Sequence, residues 1–466
     1  MLMEPHTKEA SALARNDADM TQGSIWPLLL RFAIPLTVGM LFQQLYNTVD
    51  MVVVGQYVGK EAQAAVGSVS SIVNMLVGLC SGLSLGAGVV ISQAYGAHDN
   101  RRLHSAVHTT VSMTFILCAI ATVIGLSIVR PMLHAMRTPE DVFGEASRYL
   151  TIYFAGITGL LIYNMGGSIL RAVGDSRRPL YFLIFSAVLN TLLDLLFVIA
   201  FRMGVAGVAL ATIIAQGVSA LLILVTLTFE KGAYGLRWRE LHMEKSTLGQ
   251  VLRVGWPSGI QQALTAFSNV FVQSYINAFG AAAMAGWGNY GKLDAFIIVP
   301  AMAIAQASTT FVGQNWGARQ LKRARQGAKQ SLTLSLTITA VLALLIVLFA
   351  RPLMRLFSPD PEVIDNGVRF VQIISPFYVV VCFNQIYSGA LRGIGNARAP
   401  MLIMLGSFVV FRQIYLFVST SLGGGFVAVA LAYPMGWLLC SILATVVYRR
   451  SALFKEDVQE KNISAA

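Results

Sequence analysis

Charge is what this sequence has least of. Only 12% of its 466 residues are Asp, Glu, Lys or Arg, against 56% hydrophobic, where soluble globular chains carry about 25% charged residues. That shortage excludes an ordinary soluble domain and predicts an all-α polytopic membrane protein. Cysteine is scarce too. Cys80, Cys118, Cys382 and Cys440 lie in apolar runs with neither disulfide nor zinc spacing, and read as small buried hydrophobes. No histidine lies deep in an expected helix, and no nucleophile–base pair stands out. Neither an enzyme nor a cofactor is therefore expected. The polar stretch before Gln22 lacks the short apolar core of a cleavable signal peptide, so a cytoplasmic tail is expected there.

What is abundant is long apolar runs. A spanning helix needs about 20 residues, and such runs lie at 27–55, 66–92, 105–129, 146–171, 179–201 and 205–229. Six more lie at 249–277, 283–310, 326–349, 366–391, 400–422 and 427–448, which predicts twelve helices. The 34 Lys and Arg residues test this count, because cytoplasmic loops collect them. With both termini inside, 24 fall on the cytoplasmic side, 8 outside, and Lys292 and Arg412 within the membrane. The net charge of +12 is thus read as topology, and no nucleic acid is expected as a partner.

An internal repeat orders the twelve. Ser92-Gln93-Ala94-Tyr95-Gly96-Ala97 echoes Gly313-Gln314-Asn315-Trp316-Gly317-Ala318, and Arg130-Pro131 echoes Arg351-Pro352. Leu170-Arg171 and Gly174 through Pro179 echo Leu391-Arg392 and Gly395 through Pro400, all at a separation of 221 residues. Arg31 and Pro35 echo Arg253 and Pro257 at 222. Fixed-period self-similarity marks repeated structural units. The expected organisation is a cytoplasmic tail 1–24, an N-lobe 25–229, a cytoplasmic linker 230–248, a C-lobe 249–450 and a tail 451–466. Six is even, so the lobes are parallel and their symmetry axis runs along the membrane normal, as in transporters that open a central cavity to alternate sides.

Within this frame a few side chains are out of place. Asp50 lies in the first apolar helix, and a charge at bilayer depth costs about 2.5–3.5 kcal/mol on insertion scales. Counting 1.5 Å per residue, Asp50 lies about 7–8 Å inside its helix end, and Asp194 and Thr212 about 10 Å inside theirs. Asn190, four residues before Asp194, shares its helix face. The four oxygen-bearing side chains make either an outer-leaflet cation site for Na⁺ or a shared proton, or ordinary polar packing between helices. Positions 221 beyond Asn190 and Asp194 are Phe411 and Tyr415, so the second lobe lacks the acids. It is expected instead to bury Lys292, Asp294 and Arg412, with Asp294 paired to Arg412 as an internal lock or a substrate contact. Pro35 and Pro257 each remove a helix hydrogen bond and are candidate kinks.

Together the two parallel lobes, Pro35 fifteen residues before Asp50, the Gln93/Gln314 and Gly174/Gly395 loops and the Asn190-x-x-x-Asp194…Thr212 set resemble the multidrug and toxic compound extrusion (MATE) family, over about residues 25 to 450. The resemblance implies an antiporter of the cytoplasmic membrane. Such a protein expels cationic or amphipathic organic compounds in exchange for H⁺ or Na⁺, and a monomer is expected. It places cation coupling at Asp50, Asn190, Asp194 and Thr212, and cavity roles at Gln43, Tyr46 and Asn164. Another branch of the family uses acids on helices 7 and 10, which this chain lacks. The rivals are a flippase of lipid-linked saccharides, expected to have a strongly basic cavity, and a major-facilitator porter, whose loop motif Gly96–Arg102 only partly echoes.

Overall fold

In the computed structural model, residues 19–136 and 138–454 are described, and they form helices without a strand. The tail expected at 1–24 lies mostly outside the described residues, as does the C-terminal tail from residue 455. Twelve helical segments run in order. The first six are α1 (Ile25–Val53), α2 (Lys60–Gly96), α3 (Asn100–Ala135), α4 (Glu140–Ala155 and Ile157–Ala172), α5 (Arg177–Leu195) and α6 (Val205–Phe229). The second six are α7 (Lys245–Asn277), α8 (Ala281–Gly317), α9 (Leu321–Leu348), α10 (Pro361–Ile374 and Tyr378–Gly393), α11 (Arg398–Met404 continuing through Arg412–Ser421) and α12 (Phe426–Ala430 and Ala432–Arg449).

Ten of these are long and apolar enough to cross a membrane, and α4 is an eleventh, bent by 48°. The twelfth, α7, is 33 residues long but studded with Gln261, Gln262, Thr265, Ser268, Asn269 and Gln273. Several helices run past their apolar windows, α2 for instance beginning at Lys60 rather than 66. Helical hydrogen bonding does not stop where apolarity does.

The repeat is carried into the backbone. Helical segments start at 60 and 281, 100 and 321, 140 and 361, 157 and 378, 177 and 398, and 205 and 426. Each pair is 221 apart, the spacing of the sequence motifs. Even the interruptions coincide: α4 breaks at Gly156, and α10 at the 3₁₀ turn Ser375–Phe377. A Cβ on Gly156 would come within 2.4 Å of Ile213 on α6, so the bend needs a residue without one. Gly174 and Gly395, 221 apart in the loops after α4 and α10, both take positive φ (97° and 86°), the left-handed region that glycine enters at no steric cost.

Two compact units are present. One comprises Val38–Gly255, the other Gly23–Thr37 with Trp256 onward. Both divisions fall inside a helix, within two residues of Pro35 and Pro257, and α1 and α7 run unbroken through those prolines. Just beyond Pro35, Thr37 Oγ1 donates to Ala33 O at 2.9 Å. The core of the first unit is built on α2, α3, α4 and α6 around Leu83, Ile91, Val107, Ile169 and Ile223. That of the second is built on α7 to α12 around Tyr290, Phe370, Tyr378 and Leu416.

Residues 231–244 join α6 to α7, and they are tied to the end of α6 and to α3. Leu236 N donates to Leu227 O (2.7 Å), Arg237 N to His108 Nε2 (3.1 Å) and Glu244 N to Thr109 Oγ1 (3.1 Å). Ser112 Oγ donates to His242 O (3.2 Å), and Trp238 Nε1 to Thr228 Oγ1 (3.1 Å). The expectation that no histidine lies deep in a helix fails here. His108 stands two turns into α3 and is wholly buried, because the linker covers it.

Two measurements check this packing. A Cβ on Gly86 of α2 would lie 2.4 Å from Val251 O and 2.5 Å from Gly255 N of α7, whereas one on Gly144 of α4 meets nothing within 4 Å. Gly86→Ala is expected to cost about 1–3 kcal/mol and lower the thermal midpoint in detergent. Gly144→Ala is expected to leave the midpoint unchanged or raise it. The second check concerns Glu244, an exposed carboxylate that accepts from the hydroxyls of Ser105, Ser246 and Thr247 and is thereby lowered from an ordinary 4.5 to about 2. A depressed folded value means its contribution is present above about pH 4.5 and fades as pH falls toward 2. Glu244→Gln should therefore speed amide exchange in 237–244 at pH 7, and make no difference near pH 2.

Candidate functional site

Three helices of the first unit converge on one polar point. α1 brings Asp50, α5 brings Asn190 and Asp194, and α6 brings Thr212. Asn190, Asp194 and Thr212 are buried at 1%, 0% and 4% exposure, and Asp50 is half-buried. Asn190 bridges the acids. With its amide nitrogen facing them, it donates to Asp50 Oδ1 at 3.0 Å and to Asp194 Oδ2 at 3.1 Å, while its oxygen accepts from Thr212 N at 3.1 Å. The two carboxyls are close to each other, and Tyr46 stands near both Asp50 and Thr212. Asp194 Oδ1 is buried with no hydrogen-bond partner among the described residues.

Spacing explains why the chain folds this way. Tyr46 and Asp50 are one turn apart on α1, as are Asn190 and Asp194 on α5, so each pair shares a face. Thr212 donates its hydroxyl to Val208 O of its own helix at 3.0 Å and presents its backbone N–H 3.1 Å from the Asn190 amide.

Two features of this site escaped the sequence. The first is π-helical winding. Residues Val54–Val58 continue α1 and Leu196–Ala200 continue α5 as wider turns, four residues after Asp50 and two after Asp194. Such turns are rare and frequent at functional sites, and they leave no compositional signature in these Val- and Leu-rich runs. Val53, Val54, Val198, Val205 and Val208 pack together beside them. The second is Tyr149 on α4, which lies close enough to feel both carboxylates and stacks on Tyr153 at 6.1 Å. An intramembrane tyrosine was its only signal.

Other expected residues stand apart. Gln43 is exposed, and Asn164 donates to Leu160 O of its own helix at 2.9 Å. In the second unit, Lys292 is not buried as expected. It is exposed, with its ammonium 4.9 Å from the Phe357 ring centroid. Nor does Arg412 pair with Asp294. Arg412, 2% exposed, donates to Ser268 Oγ and Asn269 Oδ1, both at 2.8 Å, and lies 4.8 Å from the Tyr433 ring centroid. A third π-helical segment, Leu405–Phe411, immediately precedes it and turns it toward these partners. Asp294 is half-buried near Tyr290 and Tyr433 instead.

Comparison with known proteins agrees with this architecture. A sequence profile of the MatE family matches twice, over residues 35–196 and 257–418, beginning at Pro35 and at Pro257. The chain is 31% identical over 391 residues to a probable multidrug resistance protein, YoeA, of Bacillus subtilis, covering 82% of this chain and 84% of that one. It is 31% identical over 432 residues to YpnP of the same organism, also named a probable multidrug resistance protein (92% and 96%). Its fold is shared with an outward-facing structure of a multidrug resistance MATE transporter at 24% identity and a TM-score of 0.88, covering 94% of this chain and 98% of that one. Fold and matches define a multi-pass membrane transporter of two repeated six-helix halves. The chain belongs to the multidrug and toxic compound extrusion (MATE) family.

Asn190→Leu would strand both carboxylates without their shared donor. An unsatisfied buried polar group costs about 1–3 kcal/mol, so unfolding in detergent at neutral pH should show a loss of that size. In an Asp50→Asn/Asp194→Asn background the same substitution should cost less, because it then removes no donor from a charge.

Proposed function

We propose that this protein exports cationic or amphipathic organic compounds in exchange for protons, with Asp50, Asp194, Asn190 and Thr212 as the coupling site. The observation that carries this reading is the single amide bridging two carboxylates drawn from different helices. Two ionised carboxylates this close repel, so one proton held between them stabilises the closed arrangement. Proton uptake then draws Asp50 and Tyr46 of α1 toward α5 and α6, and proton loss frees them. Pro35, beside the point where α1 passes from one compact unit to the other, is placed to act as the hinge. Alternating access results if the α1 movement narrows the N-lobe pocket and expels the compound outward.

Sodium is the second reading, and Asn190 separates the two. With its nitrogen toward the acids, Asn190 offers a donor that suits carboxyls sharing a proton. Turned through 180°, it would offer Oδ1 beside the carboxylate oxygens, an all-oxygen set that suits a hard cation. The backbone N–H of Thr212 faces the other end of the amide at 3.1 Å, and only an oxygen can accept from it, which favours the first orientation.

The substrate reading leans on the relatives named as multidrug resistance proteins. It also leans on Asp294, a half-buried carboxylate set near the Tyr290 and Tyr433 rings, since acid and aromatic faces together attract organic cations. Gln43, Tyr46 and Asn164 belong to the same reading as N-lobe cavity contacts. The protein acts as a monomer in the cytoplasmic membrane, and the Lys/Arg distribution supports having both termini inside.

Ethidium efflux from cells or everted vesicles, with H⁺ and Na⁺ gradients imposed separately, tests all of this. Efflux should track the proton gradient and vanish in Asp50→Asn without loss of folded protein. Sodium dependence alone would transfer the site to the second reading. Response to neither gradient would overturn the antiporter and favour a lipid-linked saccharide flippase.

A further inference from the structure

Three imidazoles and a carboxylate meet where the linker crosses α3, and the transport reading uses none of them. His104 and His108 are one turn apart on α3, with ring centroids 3.8 Å apart. His242 of the linker stacks beside them at 6.4 and 6.0 Å. Glu240 Oε2 lies 3.0 Å from His104 Nε2. One ligand atom from each of His104, His108 and Glu240 falls within 4.8 Å of the others. Histidines at i and i+4 on one helix face are a spacing that holds zinc in metalloenzymes.

The surroundings orient these groups as ligands. His108 Nδ1 donates to His104 O at 2.9 Å, and His242 Nδ1 donates to Glu240 O at 2.8 Å. A backbone carbonyl can only accept, so both rings carry a proton on Nδ1, and the Nε2 of His108, which accepts from Arg237 N, keeps its lone pair. Metal-binding histidines are held in the same way, by a hydrogen bond from the other ring nitrogen. Glu240 is also steadied. Its Oε1 accepts from Arg237 Nη1 at 3.3 Å while Oε2 faces His104. Glu240 and His242 are exposed, so an ion can enter from that side.

We propose that His104, His108 and Glu240, completed by His242, bind a divalent transition-metal ion of the Zn²⁺ type and thereby pin the inter-repeat linker to α3. Tetrahedral ligands about 2.0–2.1 Å from zinc stand roughly 3.4 Å from one another. Closing from 4.8 Å therefore asks for a little over 1 Å of movement, which the exposed Glu240 side chain can supply. His108 Nε2 now accepts from Arg237 N at 3.1 Å. Coordination replaces that bond, so binding moves the linker at Arg237 and couples metal occupancy to linker position.

The test uses the full chain, purified in detergent through a tag without histidine, stripped with a chelator and titrated with Co²⁺ at neutral pH. One saturable equivalent with the intense visible bands of tetrahedral Co²⁺ is expected, displaced by Zn²⁺. His104→Gln, His108→Gln and His242→Gln should each weaken binding at least about tenfold, a drop that even outer-shell changes can produce. His134→Gln, at the far end of α3, should leave it unchanged. Zn²⁺ should also raise the thermal midpoint and slow amide exchange over 237–244 in the parent chain, and do neither in His242→Gln. Uptake that does not saturate, a pale octahedral spectrum, or binding that survives in the well-folded His104→Gln and His242→Gln chains would overturn the proposal and leave the imidazoles as packing.

Discussion

The structure turns on the cost of charge inside a membrane. An isolated carboxylate or guanidinium there must be paired, solvated or satisfied by dipoles, and this chain uses a different remedy at each point. Asp50 and Asp194 share one amide and approach each other. Arg412 has no acid partner among its contacts and rests on a hydroxyl, an amide oxygen and an aromatic face. Lys292 stays exposed beside a ring. Only the first arrangement contains a group that a proton can switch on and off by changing the sign of an interaction, from repulsion to a shared hydrogen bond. That is why the coupling reading settles on it.

Repetition makes the asymmetry sharper. Tyr433, which faces Arg412, stands 221 residues after Thr212, and Ser268, which accepts from Arg412, stands 222 after Tyr46. Each unit therefore builds a polar point at the corresponding place, one acidic and one basic. All three charged residues lie within four positions of a π-helical segment. A wider turn inserts one residue into the helix; on α11 it precedes Arg412 and rotates it, whereas on α1 and α5 it follows the acids, so a scaffold copied helix by helix presents different side chains at the same spot. Thr191 is the residue 221 before Arg412, yet its hydroxyl bonds only to Ala187 O of its own helix. The cost of irregular winding is offset by the contacts it aims.

The same economy governs the linker. Residues 231–244 have too little apolar surface to form a span, and they gain order by giving their backbone N–H groups to side chains on α3. Two of those acceptors, His108 and Thr109, are buried as a result. Burial of His108 is thus a consequence of the linker's hydrogen-bond demand, and it brings three of the chain's six histidines to one place.

Much of this was legible in advance. Apolar runs, turn punctuation and the Lys/Arg bias gave twelve helices, and a 221-residue period gave two halves, because hydrophobic length and repeat spacing are properties of a linear string. Depth counting along single helices was enough to group Asp50, Asn190, Asp194 and Thr212, since rise per residue is constant. The pairing of Asp294 with Arg412 failed because like depth does not mean like azimuth, and the π-helical turn before Arg412 altered its azimuth. Lys292 failed for the same reason. Tyr149, the histidine cluster and the unit boundaries inside α1 and α7 each depend on which faces of distant segments meet. The sequence alone determined class, helix number and the residues that must pay for charge in the membrane. Only the tertiary structure decided which partners those residues have, because helix rotation and packing are set by contacts that no local pattern records.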